Sequence, residues 1–137
     1  MADFTSTYKA NGDNATMDAI ITGSITELAD GVSPTIGDSA FRGCAALAKA
    51  DFLKVTEIGN NAFRECAALV TLILRSETMA DLWNSMVFND TPIASGTGYI
   101  YVPSALAATY KADATWGKHS AQIRAIEDYP AICGEVS

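Results

Sequence analysis

The sequence predicts an α/β repeat protein, a short solenoid of about three 22-residue-type repeats closed by helical N- and C-terminal caps. Two observations carry this. IGDSAFRGCAAL runs from Ile36 to Leu47 and IGNNAFRECAAL from Ile58 to Leu69, with nine positions recurring in step. Each copy is followed by an alternation of strand type, Ala50 and Phe52 after the first and Leu72 and Leu74 after the second. A unit this small cannot bury its apolar face alone, so successive copies are expected to stack.

Taken in order, residues 1–13 read as a polar N-terminal arm with Phe4 and Tyr8 as isolated apolar anchors. Residues 14–35 form an N-terminal cap. In it Asn14 caps a short helix through about Ile21, Gly23 closes the helix, and Ser24–Leu28 alternates as a strand before a turn at Gly31 and Pro34. Residues 36–103 are the repeats. Ile36 and Ile58 fill the core, and Gly37 and Gly59 allow a turn. Phe41 and Phe63 drop a ring between layers, and Cys44, Cys66, Leu47 and Leu69 carry the chain back inward. A third, degenerate copy puts Phe88 at the ring position, Ile93 at the return and Ile100 and Val102 on the strand. Trp83 lies in the excursion before it, and Ser95–Gly98 is an inserted loop. Residues 104–137 are the C-terminal helical cap and tail. Ser104 is the expected N-cap of a helix to about Lys111 with Leu106 and Tyr110 inward, and Trp116–Ile126 holds a second helical piece with Ile123 and Ile126 on one face.

Composition narrows the function. The chain has 137 residues, 49% of them hydrophobic and 18% charged, as one globular domain requires. Sixteen acids against nine bases leave a net charge of −7. That surface repels phosphate backbones and anionic lipid, which disfavours nucleic-acid and membrane-surface roles. The longest apolar runs, Ala19–Ile21 and Leu72–Leu74, are far too short to span a bilayer, so no membrane insertion is expected. The start, MADFTSTYKANGD, lacks the basic and apolar regions of a signal peptide. The chain is therefore expected to be made in a bacterial cytoplasm and stay there, or to leave by a route other than secretion, such as lysis. Cys44 and Cys66 share a repeat position and read as small buried hydrophobes, unbridged and slow to react. Cys133 stands apart and is expected to react first.

The pattern IGxxAFxxCxxLxxhxh, h being apolar, resembles the BspA-like class of leucine-rich repeats over Ile36–Leu53 and Ile58–Leu74. GYIYVPSALAATYKADATWGKHSAQIRAIE resembles that class's C-terminal unit, and together these cover roughly residues 36–128. The front segment DAIITGSITEL, with TLILRS and TPIASGTGYIYVPSAL, is similar to short leucine-rich repeat proteins of tailed bacteriophages and prophages of gut Firmicutes. The resemblance implies a non-enzymatic virion structural protein. It would be a surface decoration or a tail and host-binding component, contacting capsid or tail proteins, further copies of itself, or a host-surface protein or glycan. The alternative it implies is a cellular adhesin-type binding module. The family supplies no catalytic residues and no cofactor.

The residues agree with that absence of chemistry. His119 is the one histidine, flanked by Lys118 and Ser120 on a stretch expected to be exposed, with no nucleophile placed to use it. Gly96-Thr97-Gly98 lacks the glycines and following Gly-Lys of a phosphate loop. Asn11–Asn14 lacks the remaining ligands of a calcium loop, and Asp30 and Asp38 sit where Asp caps turns. No metal and no catalytic residue is expected. What remains is a surface. Residues alternating with the inward strand positions should face outward, namely Lys49 and Asp51, Thr71, Ile73 and Arg75, and Tyr99 and Tyr101. Ile and Tyr beside Arg are types enriched at protein interfaces, and equally the types whose cross-strand pairs stabilise a sheet. With Phe4 and Tyr8 these seven are the candidate partner-binding residues.

Overall fold

The computed structural model describes residues 27–30, 35–37, 40–82 and 85–133. The expected arm with Phe4 and Tyr8, the front helix at Asn14–Ile21 and the Trp83 excursion lie outside the described residues.

The described chain is a mixed α/β structure with two parallel sheets. The larger comprises β1 (Glu27–Asp30), β3 (Lys49–Phe52), β5 (Thr71–Leu74), β7 (Tyr99–Val102) and β8 (Ile123–Ala125), in that order. The smaller comprises the two-residue strands β2 (Thr35–Ile36), β4 (Glu57–Ile58) and β6 (Asp81–Leu82). The chain alternates between the sheets, and the sequence period reappears as hydrogen-bond register. Glu27 opposes Lys49, Lys49 opposes Thr71 and Thr35 opposes Glu57, each step matching the interval that separates Ile36 from Ile58. The longer step from Thr71 to Tyr99 absorbs a 3₁₀ turn (Ser85–Phe88) and a short helix, α1 (Pro92–Ser95).

Period-two alternation decides which side chains enter the core. Ala50, Phe52, Leu72, Leu74, Ile100 and Val102 all point inward and are buried. Phe41, Phe63 and Phe88 form a column, their rings stacked 5.3 and 5.9 Å apart and each pair within 7° of parallel. The column ends on Trp116, 5.8 Å beyond Phe88, and on the edge of His119. Two residues past each ring the backbone is left-handed. Gly43 occupies that position in the first layer (φ 77°), but Glu65 (66°) and Asp90 (63°) occupy it in the next two. Only the first copy therefore has the residue that adopts this conformation freely. At Gly98 space is the constraint, since a Cβ there would lie 2.9 Å from the Ile93 nitrogen and 3.0 Å from the Leu69 carbonyl oxygen.

The C-terminal unit departs from expectation. Helix α2 (Ser104–Ala112) begins at Ser104, so the cap position falls on Pro103, which supplies no side-chain capping bond, and not on Ser104. The Ser104 N–H instead donates to the Glu127 carboxylate at 2.9 Å. Backbone N–H donors, its own first and that of Ser104 next, hold the Glu127 carboxyl below its ordinary range. Asp113 receives the Thr115 and Trp116 N–H groups and starts a 3₁₀ helix over Trp116–Gln122. His119 is buried on it, not exposed, because Trp116 and His119 at i, i+3 both face the ring column. Ile123 and Ile126 do not share a helical face. Ile123 lies in β8 and enters the main core, while Ile126 packs on the opposite side of the sheet. The larger sheet thus runs on past residue 103, where the repeats were expected to end. Tyr110 and Trp116 close the last layer by taking both backbone groups of Ala80. The Tyr110 hydroxyl accepts its N–H at 2.8 Å, and the Trp116 indole donates to its carbonyl at 2.7 Å.

Candidate interaction face

The outer face of the larger sheet carries two rows set by register. One is Lys49, Thr71 and Tyr99, and the other is Asp51, Ile73, Tyr101 and Arg124. Strand geometry brings all the sequence-predicted strand residues onto one face, and Arg75 joins them just beyond β5. Phe4 and Tyr8 lie outside the described residues.

This face is not an open platform. After β8 the chain crosses back over it as a 3₁₀ turn (Ile126–Asp128) and a short helix, α3 (Pro130–Cys133). Ile126 and Cys133 pack on Ile73 and Tyr101, with Tyr99 and Tyr129 against the cluster. Ile73 is 0% exposed and Tyr101 2%, which corrects their expected outward exposure: they point away from the main core but into a second one. The two tyrosines, 101 and 129, meet edge to face at 5.4 Å.

Polar groups at the rim fasten this strap. Arg75 reaches Asp51 through two parallel hydrogen bonds of 2.8 and 2.9 Å, and also donates to the Cys133 carbonyl. The Asp51 carboxylate raises the Arg75 guanidinium above its usual range against the opposing effect of burial. Lys49 Nζ donates to the Ile132 carbonyl at 2.9 Å. The last carbonyls of a helix have no partner within it, so two cations from the sheet satisfy the end of α3. Arg124 lies over the Tyr99 ring, 3.3 Å from its centroid, with the Tyr129 ring at 4.6 Å, and donates to the Tyr101 hydroxyl at 3.3 Å. Of the predicted set, Lys49, Asp51, Thr71, Arg75 and Tyr99 remain half-buried. All but Thr71 contact the strap or its anchoring groups.

Sequence reasoning missed Arg124, Ile126, Glu127 and Tyr129. For Ile126, Tyr129 and Cys133 a signal existed, because their i, i+3, i+7 spacing marks one apolar face. Glu127 carried none. Cys133, expected to react first, is 5% exposed, and burial pushes its thiol up from an ordinary 9.0. Cys44 and Cys66 are buried and free.

A groove of about 420 Å³ runs over the smaller sheet, where Thr35, Glu57 and Asp81 stand in register beside Gly37 and Gly59. Among the described residues no group of three or more His, Cys, Asp or Glu side chains is placed to hold a metal ion, and no helix is long and apolar enough to cross a membrane. No family model, no curated protein and no solved structure matches the chain.

Proposed function

We propose that the chain is a short BspA-like leucine-rich repeat solenoid serving as a non-enzymatic virion protein of a tailed bacteriophage, in surface decoration or host binding. The observation that carries this reading is the repeated segment itself. IGxxAFxxCxxL begins at Ile36 and again at Ile58, and the same interval sets the pairing of β1, β3 and β5. The virion assignment rests on the resemblance of the front, TLILRS and YVPSAL segments to phage proteins. The described side chains support the non-enzymatic part through what they do. His119 packs edge-on against Phe88, and Arg75, paired with Asp51 on the strand face, fastens the chain's own C-terminal segment.

The proposed contact with capsid, tail or sister copies is made through residues 1–13, and burial of Ile73 and Tyr101 weakens the strand face as the alternative anchor. A polar segment with two isolated aromatic anchors is suited to ordering on a partner. The test is mass spectrometry of gradient-purified particles from a producing culture. The full chain should co-sediment with capsid and tail proteins, and a chain lacking residues 2–13 should keep its melting curve yet be lost from particles. Absence of the full chain from particles would overturn the virion reading; retention of the truncated chain would overturn the anchor.

A further inference from the structure

The first two layers hold a pair of free thiols at one repeat position, both in the main core. Phe41 N–H donates to the Ala62 carbonyl at 2.8 Å and Gly43 N–H to the Arg64 carbonyl at 2.9 Å, so the turns containing Cys44 and Cys66 are bonded directly to each other. Cys66 Sγ reaches across the layers to the Phe41 carbonyl oxygen at 3.0 Å, the same oxygen that accepts the Cys44 N–H at 3.0 Å. Both residues are 0% exposed, so the shared Phe41 oxygen brings two sealed cysteines of adjacent layers to one point of the backbone. In the third layer Thr91 takes this position and turns its hydroxyl to its own layer's Phe88 carbonyl, so the pair is confined to layers one and two. Cys133 sits on the far side of the sheet against Ile73 and Tyr101 and does not compete.

We propose that Cys44 and Cys66 are a cross-layer redox pair, free thiols at synthesis that close into a disulfide when the chain passes into an oxidising medium. The proposal deepens the virion reading and rests on it for that change of medium. The oxidant is a low-molecular-weight disulfide such as oxidised glutathione. One cysteine thiolate attacks it, forming a mixed disulfide and expelling one glutathione thiolate. The second cysteine thiolate then attacks the protein sulfur of that mixed disulfide and expels the other. The two protons lost by the cysteines leave on two molecules of reduced glutathione, and the protein gains one S–S bond. Because both thiols are sealed, exchange proceeds through local opening of the two layers and not from the closed state. Once formed, the bond closes the loop of chain from Cys44 to Cys66 and restricts the unfolded chain accordingly.

The test uses the full chain carrying Cys133→Ser, equilibrated in glutathione buffers from reducing to oxidising near its melting midpoint, then read by intact mass and thermal melt. The oxidised form should lose the mass of two hydrogens, carry no glutathione adduct, and melt about 5 °C or more above the reduced form. The same mass change mapped to the peptides of residues 44 and 66 in the unsubstituted chain serves if Cys133→Ser fails to fold. Cys66→Ser in the same background should trap a glutathione adduct on Cys44, which shows that the oxidant reaches the site. Thiols that stay free, stable mixed adducts on both cysteines, or a disulfide that lowers the midpoint would each overturn the pair. None of these readouts measures particle incorporation, so failure here leaves the virion reading to its own test.

Discussion

The two faces of the larger sheet are built from the same strands and the same alternation, yet they are covered in different ways. The inner face meets the repeat's own returning segments, so Phe52 packs at 6.0 and 6.1 Å from Phe41 and Phe63, within its own layer and the next. The outer face meets a segment from the far end of the chain, residues 126–133, with Lys49 bonded to a carbonyl 83 positions away. Alternation states which residues share a face. It does not state whether that face meets solvent. The difference also appears in chemistry: the inner face is a column of hydrocarbon rings, whereas the outer one is a smaller apolar cluster rimmed by Arg75, Asp51, Lys49 and Arg124.

The largest expected effect is on the inner face. Phe63→Ala removes the middle ring of the column and should lower stability by about 3–5 kcal/mol in a urea melt; a variant as stable as the parent would mean that the stacked layers are assigned in the wrong register. The outer face gives the sharper discrimination. Ile73→Ala should cost about 2–4 kcal/mol if the strap seals it, whereas an exposed strand residue would cost under about 0.5 kcal/mol. The same melt therefore distinguishes a covered face from an open one.

Rim substitutions should matter less. Arg75→Ala removes a charge-assisted pair and leaves Asp51 and the Cys133 carbonyl without their donor, for about 1–3 kcal/mol. Lys49→Ala breaks one bond at the exposed edge and should cost under about 1 kcal/mol. Equal losses from the two would contradict the view that Arg75 is the principal fastening.

The smallest effect appears only in alkali. Cys66 is raised first by its hydrogen bond with Cys44 and then by burial, and Cys133, Tyr101 and Tyr110 are raised chiefly by burial. A folded value above the unfolded one means that the folded state holds its proton longer. The corresponding stability is therefore complete below the ordinary thiol value of 9.0 and declines as pH rises beyond it. Urea midpoints should be flat from neutral to about pH 8.5 and fall above it; a midpoint that rises there would contradict the sign.

Within the repeats much was legible, for an identifiable reason. Residues related by i, i+2 on a strand or by one repeat between layers occupy equivalent environments, so Ala50, Phe52, Leu72 and Leu74 could be read as one inward set, and Phe41, Phe63 and Phe88 as one column. Thr91 at the position of Cys44 and Cys66, and Asp90 at the position of Gly43 and Glu65, follow from the same registration once the longer third step is known. The candidate site was legible only in part. Lys49, Asp51, Thr71, Ile73, Tyr99 and Tyr101 do share a face, but their neighbours Ile126, Tyr129 and Cys133 belong to no repeat. Trp116–Ile126 does hold a helical piece, the 3₁₀ helix over Trp116–Gln122, but Ile123 and Ile126 do not share its face because β8 pairs Ile123 with Ile100 and interrupts the period.

The sequence by itself determined the repeat interval, the identity of the inward side chains and the position of the stacked rings. Each of these is a consequence of local periodicity, which repeats wherever the residues repeat. Tertiary structure alone decided that the outer face is covered, that Glu127 and not Ser104 serves the start of α2, and that Cys133 and His119 are buried. Those outcomes depend on where a non-repeating tail comes to rest. Its position is set by apolar area, two cations and two helix-end carbonyls meeting across 83 and 58 positions of the chain. Although Ile126, Tyr129 and Cys133 mark an apolar face by their spacing, nothing in the repeat interval says where that face comes to rest.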